Sequence, residues 1–166
     1  MLKNFKNGYA VCGNNETAKR EKNDCVVRAI ANACDVDYAQ AHQFVKEKFN
    51  RKNGKATFMF NSIMKGIKEI QFKEVGQLNL FETPGVKKIQ HMGDMPKLGG
   101  KLRNPKYKHK PVAFTVKEFA RKFNRGNYIV GVHSHALAIC NGVIMDNSNY
   151  QYDGYRRPVE CAYRVQ

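Results

Sequence analysis

Cys25, His135 and Asp146 are the residues of this sequence whose types and spacing could do chemistry together. A thiol attacks a carbonyl only when ionised. A helix N-terminus favours that form, because unsatisfied N–H groups and the helix dipole face the sulfur. The stretch "KREKNDCVVRAIANAC", residues 19–34, puts Cys25 one or two residues inside such a terminus. Asp24 beside it opposes ionisation unless its carboxylate turns to capping, whereas Lys19, Arg20, Lys22 and Arg28 favour it. Taken alone, this placement suits a small packed residue better than a nucleophile. The balance rests on whether a base and an orienting group accompany the thiol.

The C-terminal third, "NYIVGVHSHALAICNGVIMDNSNYQYDGYRRPVECAYRV", supplies candidates for both. Asn141-Gly142 lies between two apolar runs, a strong hairpin signal because both residues tolerate φ > 0. A two-residue turn there pairs Cys140 with Val143, Ile139 with Ile144 and Leu137 with Asp146, and sets His135 opposite Ser148. Side chains alternate faces, so His135, Leu137 and Ile139 share a face with Ile144, Asp146 and Ser148. His135 and Asp146 then become diagonal neighbours within hydrogen-bond reach, and Asn147 points the other way. A bulge would exchange Asp146 for Asn147. His133 falls on the face of His135, one step farther from Asp146.

The elements that must position these groups read as helices first and sheet second, an α+β plan. Asn23 or Asp24 can cap a helix running to about Ala33, with Val26, Ala29, Ile30 and Ala33 at helical spacing. Asp37 with Gln40 resembles a capping box for a second helix, whose face is Tyr38, Ala41, Val45 and Phe49. Phe60, Ile63, Met64 and Ile67 predict a third helix near 58–69. Thr115 with Glu118 forms a sharper capping box, followed by Val116, Phe119, Ala120 and Phe123. Residues 1–22 read as an irregular polar lead-in with "GNN" turn chemistry. Residues 84–111 carry four of the five prolines, several glycines and a run of Lys and Arg, and read as a basic loop exposed to solvent.

Composition limits the function classes. At 166 residues the chain is expected to form one domain over 1–166 with a sizeable core. No apolar run is long enough to span a membrane, and the N-terminus has no signal-like apolar segment, so a cytoplasmic location is expected. Five cysteines, an odd number without C-x-x-C spacing, imply free thiols rather than a disulfide framework or a zinc site. Cys34, Cys140 and Cys161 read as core thiols, His42 as a surface or boundary residue, and His91 and His109 as solvated. The tyrosines of "NYQYDGY" read as lining a loop or strand rim. The formal net charge of +15 predicts weak, non-specific attraction to nucleic acid, largely lost near physiological salt. No recognition-helix, zinc-finger or aromatic RNA-binding pattern accompanies that charge.

"NDCVVRAIANA", then "HALAI" and "GVIMDN" about a hundred residues later, resembles papain-like cysteine peptidases, most nearly small phage-encoded members and bacteriocin-processing peptidases. The resemblance covers about a third of the chain. It implies N-terminal helices, with the nucleophile opening the first, packed on a C-terminal antiparallel sheet. It further implies Cys25 as nucleophile, His135 as general base and Asp146 as orienting acid, a protein or peptide substrate, no cofactor, and a host-cell cytoplasm if the gene is carried by a phage. That family places a Gln a few residues before its Cys to complete the oxyanion hole. Here "NNETAKREKN" holds none, and Asn14, Asn15 and Asn23 are the candidate substitutes, with the Cys25 N–H as second donor. Two other readings share these residues: a thiol transferase of transglutaminase type, and a basic host-factor or nucleic-acid binding protein with a vestigial triad. Oligomeric state leaves no mark on the sequence.

Overall fold

The computed structural model describes residues 4–12, 15–57, 70–71, 88–92, 114–147 and 155–165. Its described helices are α1 (Gly8–Cys12), α2 (Glu16–Arg20), α3 (Cys25–Cys34), α4 (Tyr38–Phe49) and α5 (Val116–Lys122). Its described strands are β1 (Phe5–Asn7), β2 (Ile70–Gln71), β3 (Lys88–His91), β4 (Asn127–Val132), β5 (His135–Cys140), β6 (Val143–Asp146) and β7 (Cys161–Val165). They form one sheet in the order β1-β6-β5-β4-β7-β3-β2. Every neighbouring pair is antiparallel except β1 and β6, which run parallel. The result is a mixed α/β fold with a mostly antiparallel sheet. No described helix is long and apolar enough to cross a membrane.

Apolar surface is buried on both faces of the sheet. One cluster joins Val27, Ile30 and Ala33 of α3 and Ala41, Phe44 and Val45 of α4 to Ile129, Ala136, Ala138 and Tyr163. The other joins Val116 and Phe119 of α5 to Val130, Leu137, Ile139 and Ile144. Coverage on both sides explains why the central strands β4 and β5 are almost continuously apolar rather than alternating with polar residues. α3 lies across β5, so the helix that begins at Cys25 is seated on the strand that begins at His135.

Local signals that close their own hydrogen bonds are realised. Asn141 (φ 49) and Gly142 (φ 76) form the predicted two-residue turn, with Cys140 opposite Val143 and Ile139 opposite Ile144. A side chain at Gly142 would also meet Asn124 and the Ala120 carbonyl at 3.2–3.3 Å. Both capping boxes are present, Asp37 with Gln40 and Thr115 with Glu118. Tyr38, Ala41, Val45 and Phe49 form the buried face of α4.

Other expectations are corrected. The polar lead-in is partly regular: β1 extends the sheet, and α1 and α2 precede α3, so Cys25 opens the third described helix rather than the first. At Gly8 a Cβ would lie 2.7 Å from Asn32 Nδ2 and 3.0 Å from the Met145 backbone, so the start of α1 needs a residue without one. Within the basic stretch, Lys88–His91 is a strand paired with β7, so the sheet is not confined to the C-terminal third. His91 packs its ring 5.3 Å from that of Tyr163 instead of being solvated. Tyr155 is buried in the second core cluster rather than at a rim. The remainder of the basic stretch, the helix expected near 58–69, Asn14, His109, Tyr150, Tyr152 and Ser148 lie outside the described residues.

Candidate active site

His135 and Asp146 meet as the hairpin register requires. The Nε2 of His135 is 2.8 Å from Asp146 Oδ1, and both side chains are at least nine-tenths buried. Asp146 Oδ1 also accepts the Asn147 N–H at 2.7 Å. Oδ2 is buried and has no hydrogen-bond partner among the described residues. The oxygen that orients the ring therefore comes from Asp146, not Asn147. His133 sits in the β4–β5 turn, with its side chain 91 % exposed and 3.6 Å from Glu160, so it does not share the face of His135.

The Cys25 thiol lies within hydrogen-bonding reach of His135. The imidazole thus stands between a carboxylate and a thiol. Burial pushes its basicity down, but the Asp146 hydrogen bond, the Cys25 hydrogen bond and the charges of both raise it to about 9. Cys25 is half-buried, whereas Cys12, Cys34 and Cys161 are buried. Cys34 and Cys161 belong to the core as expected, and half-buried Cys140 faces the Asn32 carbonyl at 3.5 Å.

The start of α3 differs in one respect from the expectation. Asp24 holds the N-cap position but its side chain caps nothing. Its carboxylate instead takes Arg28 Nε at 2.9 Å and the Tyr38 hydroxyl at 2.6 Å, in a buried cluster. The charge that would repel a thiolate is therefore compensated one helical turn away. With no side-chain cap, the first-turn N–H groups of α3 face the site with their partial positive charge.

Of the asparagines named for the oxyanion hole, the two among the described residues, Asn15 and Asn23, are engaged elsewhere. Asn15 caps α2, accepting from Thr17 and Ala18 N–H, and donates to Asp37 at 3.3 Å. Asn23, in the left-handed region at φ 54, donates to the Gly54 carbonyl at 3.2 Å. A cavity of about 580 Å³ lies along the other end of α3, between Asn32, Asp35, Tyr38 and Asn141, and Cys25 does not line it.

Sequence reasoning missed Tyr9 and the Glu21–His42–Arg51 network. Tyr9 packs its ring 4.3 Å from the Arg28 guanidinium, and its carbonyl accepts Arg28 Nη1 at 3.2 Å. The segment leading into Cys25 is tied down by Arg51, whose Nη2 reaches Glu21 Oε2 at 2.7 Å and the Lys22 carbonyl at 3.1 Å. His42, expected near the surface, is buried within that network, 3.0 Å from Arg51 Nη1 and 3.3 Å from Glu21 Oε1. Residues 9, 21, 42 and 51 are far apart in the chain and share no motif with the site, so no local signal marks them.

No protein-family model, curated protein or solved structure matches the chain. What the site can do rests on its own geometry.

Proposed function

We propose that the chain is a papain-like thiol hydrolase, a cysteine peptidase of the kind found in small phage-encoded proteins, acting on an amide bond of a protein or peptide. The observation that carries the reading is the His135 ring held between the Asp146 carboxylate and the Cys25 thiol. His135 takes the thiol proton, and Asp146 holds the ring orientation and stabilises the imidazolium. The sulfur attacks the carbonyl carbon, and the oxyanion forms beside the Cys25 N–H. Collapse breaks the C–N bond as His135 returns the proton to the departing amine. Water, deprotonated by the same imidazole, then hydrolyses the thioester.

The test is alkylation by iodoacetamide at neutral pH, mapped peptide by peptide. Cys25 should react first among the five thiols, and replacing His135 by Ala should slow it by about tenfold or more, since the thiolate is the nucleophile. Uniform reactivity across the five would overturn the reading.

The net charge of +15 favours a second reading, a basic protein that binds a host factor or nucleic acid with its triad vestigial. Submicromolar oligonucleotide binding by the Cys25→Ser variant that survives about 0.15 M salt would put that reading first, because non-specific phosphate contacts weaken steeply with salt.

A further inference from the structure

An oxyanion hole needs donors aimed at the oxygen that gains charge, and a backbone N–H rarely acts without a second. Asn15 and Asn23 already serve a helix cap and the Gly54 carbonyl. Tyr9 is a further donor near the start of α3, close enough to feel the charges of Cys25 and Asp24. Its placement follows from the parallel pairing of β1 with β6, which sets Asn7 opposite Asp146. Two residues later the chain has turned into α1, and Arg28 holds Tyr9 by both its carbonyl, at 3.2 Å, and its ring, at 4.3 Å. Arg28 lies three residues beyond Cys25, on the adjoining turn of the same helix face, and its Nε is bonded to Asp24. The Tyr9 ring is therefore clamped beside the first turn of α3, half-buried. Its hydroxyl has no hydrogen-bond partner among the described residues.

We propose that the Tyr9 hydroxyl donates a hydrogen bond to the oxyanion that forms when Cys25 attacks a carbonyl. This rests on the thiol-hydrolase reading and adds a catalytic residue to it. Burial, together with the charges of Cys25, Asp24 and Asp146, holds the hydroxyl well above the usual phenol range against the pull of Arg28. Tyr9 thus stays a donor and keeps its proton throughout. In the step it assists, the C–S bond forms and the carbonyl π pair moves to oxygen. That oxygen accepts from the Tyr9 O–H and the Cys25 N–H, and collapse expels the leaving group.

Two reagents separate this role from a structural one. Acylation of Cys25 by 4-nitrophenyl acetate passes through an oxyanion and releases 4-nitrophenolate. Alkylation by iodoacetamide is a displacement at a saturated carbon and forms none. Tyr9→Phe keeps the ring on Arg28 and removes only the hydroxyl. Acylation of Cys25 should fall about 10²-fold, as for loss of one oxyanion donor, with alkylation changed less than about twofold. Acylation equal to wild type overturns the assignment. So does a parallel fall in both rates, which would make Tyr9 a positioning residue for the Cys25–His135 pair. If wild-type Cys25 acylates no faster than in the urea-unfolded chain, the thiol-hydrolase reading itself fails and Tyr9 has no oxyanion to serve.

Discussion

Two buried histidines of this chain lie beside a carboxylate, and their third partner makes them chemically different. At His135 the carboxylate is Asp146, 2.8 Å from Nε2, and the third partner is the Cys25 thiol, which can give a proton up. At His42 the carboxylate is Glu21, 3.3 Å from Nε2, and the third partner is Arg51, whose Nη1 is closer at 3.0 Å. A guanidinium only donates, so the His42 nitrogen facing it must offer a lone pair and cannot also donate to Glu21. Glu21 instead pairs with Arg51 at 2.7 Å and accepts the Gly54 N–H at 2.9 Å. One histidine is left basic beside an acid it can deprotonate, and the other is fixed as an acceptor in a structural knot. A buried His–carboxylate pair is thus no sign of catalysis until its remaining neighbour is known.

The largest effect should come from the carboxylate of the first site. Asp146→Ala removes the group that fixes the ring, and Cys25-dependent acylation should fall about 10³–10⁴-fold, as loss of the triad acid does elsewhere. Asn147→Ala should leave the rate within about threefold, because the hydrogen bond it gives Asp146 comes from its backbone N–H, which the substitution keeps. A reversed ranking in a 4-nitrophenyl acetate assay would break the register argument.

The second site should answer in stability rather than rate. Arg51→Met leaves the Glu21 carboxylate buried without its countercharge, at a cost of about 3–5 kcal/mol in urea unfolding. Adding Glu21→Gln should recover much of that loss, because no unpaired charge then remains. A loss below about 1 kcal/mol for Arg51→Met would show the pair to be solvated, with the worth of a surface ion pair.

These two sites were unequally legible in the sequence. The His135–Asp146 pair was readable because the Asn141-Gly142 turn fixes the register, and period two then decides which residues share a face. The capping boxes of α4 and α5 were readable because each closes within a few residues. The Glu21–His42–Arg51 network was not, since its members lie on three segments joined only by tertiary packing. Asp24 looked like a cap, yet a buried guanidinium and a tyrosine hydroxyl outcompete the helix N–H groups for its oxygens. β1 and β3 were missed because "FKN" and "KIQH" carry little strand pattern, and backbone pairing with β6 and β7 defines them. Tyr9 was lost with β1, whose parallel pairing brings it to the site.

The two sites should also fail at opposite ends of the pH scale. Burial alone would raise the Glu21 carboxyl, but the Arg51 hydrogen bond, the Gly54 N–H and the Arg51 charge bring it down to about 2. A folded value below the unfolded one, about 4.3, means that the unfolded state binds more protons between them. The stabilisation is complete above the unfolded value and is lost as pH falls through about 4 towards 2. His135 has the opposite sign. Its folded value of about 9 exceeds the unfolded value near 6.5, so its stabilisation is present below about 6.5 and is lost as pH rises through 9. Thermal midpoints followed across that range should trace a dome whose acid edge belongs to the network and whose alkaline edge belongs to the site. Glu21→Gln should flatten the first edge alone, and His135→Phe the second alone. Cleavage of an amide substrate by wild-type Cys25 should decline above about pH 9, because the departing amine needs the imidazolium proton, while iodoacetamide alkylation, which needs no proton donor, does not. An alkaline stability edge that persists in His135→Phe would assign it to another group and remove this distinction between the two histidines.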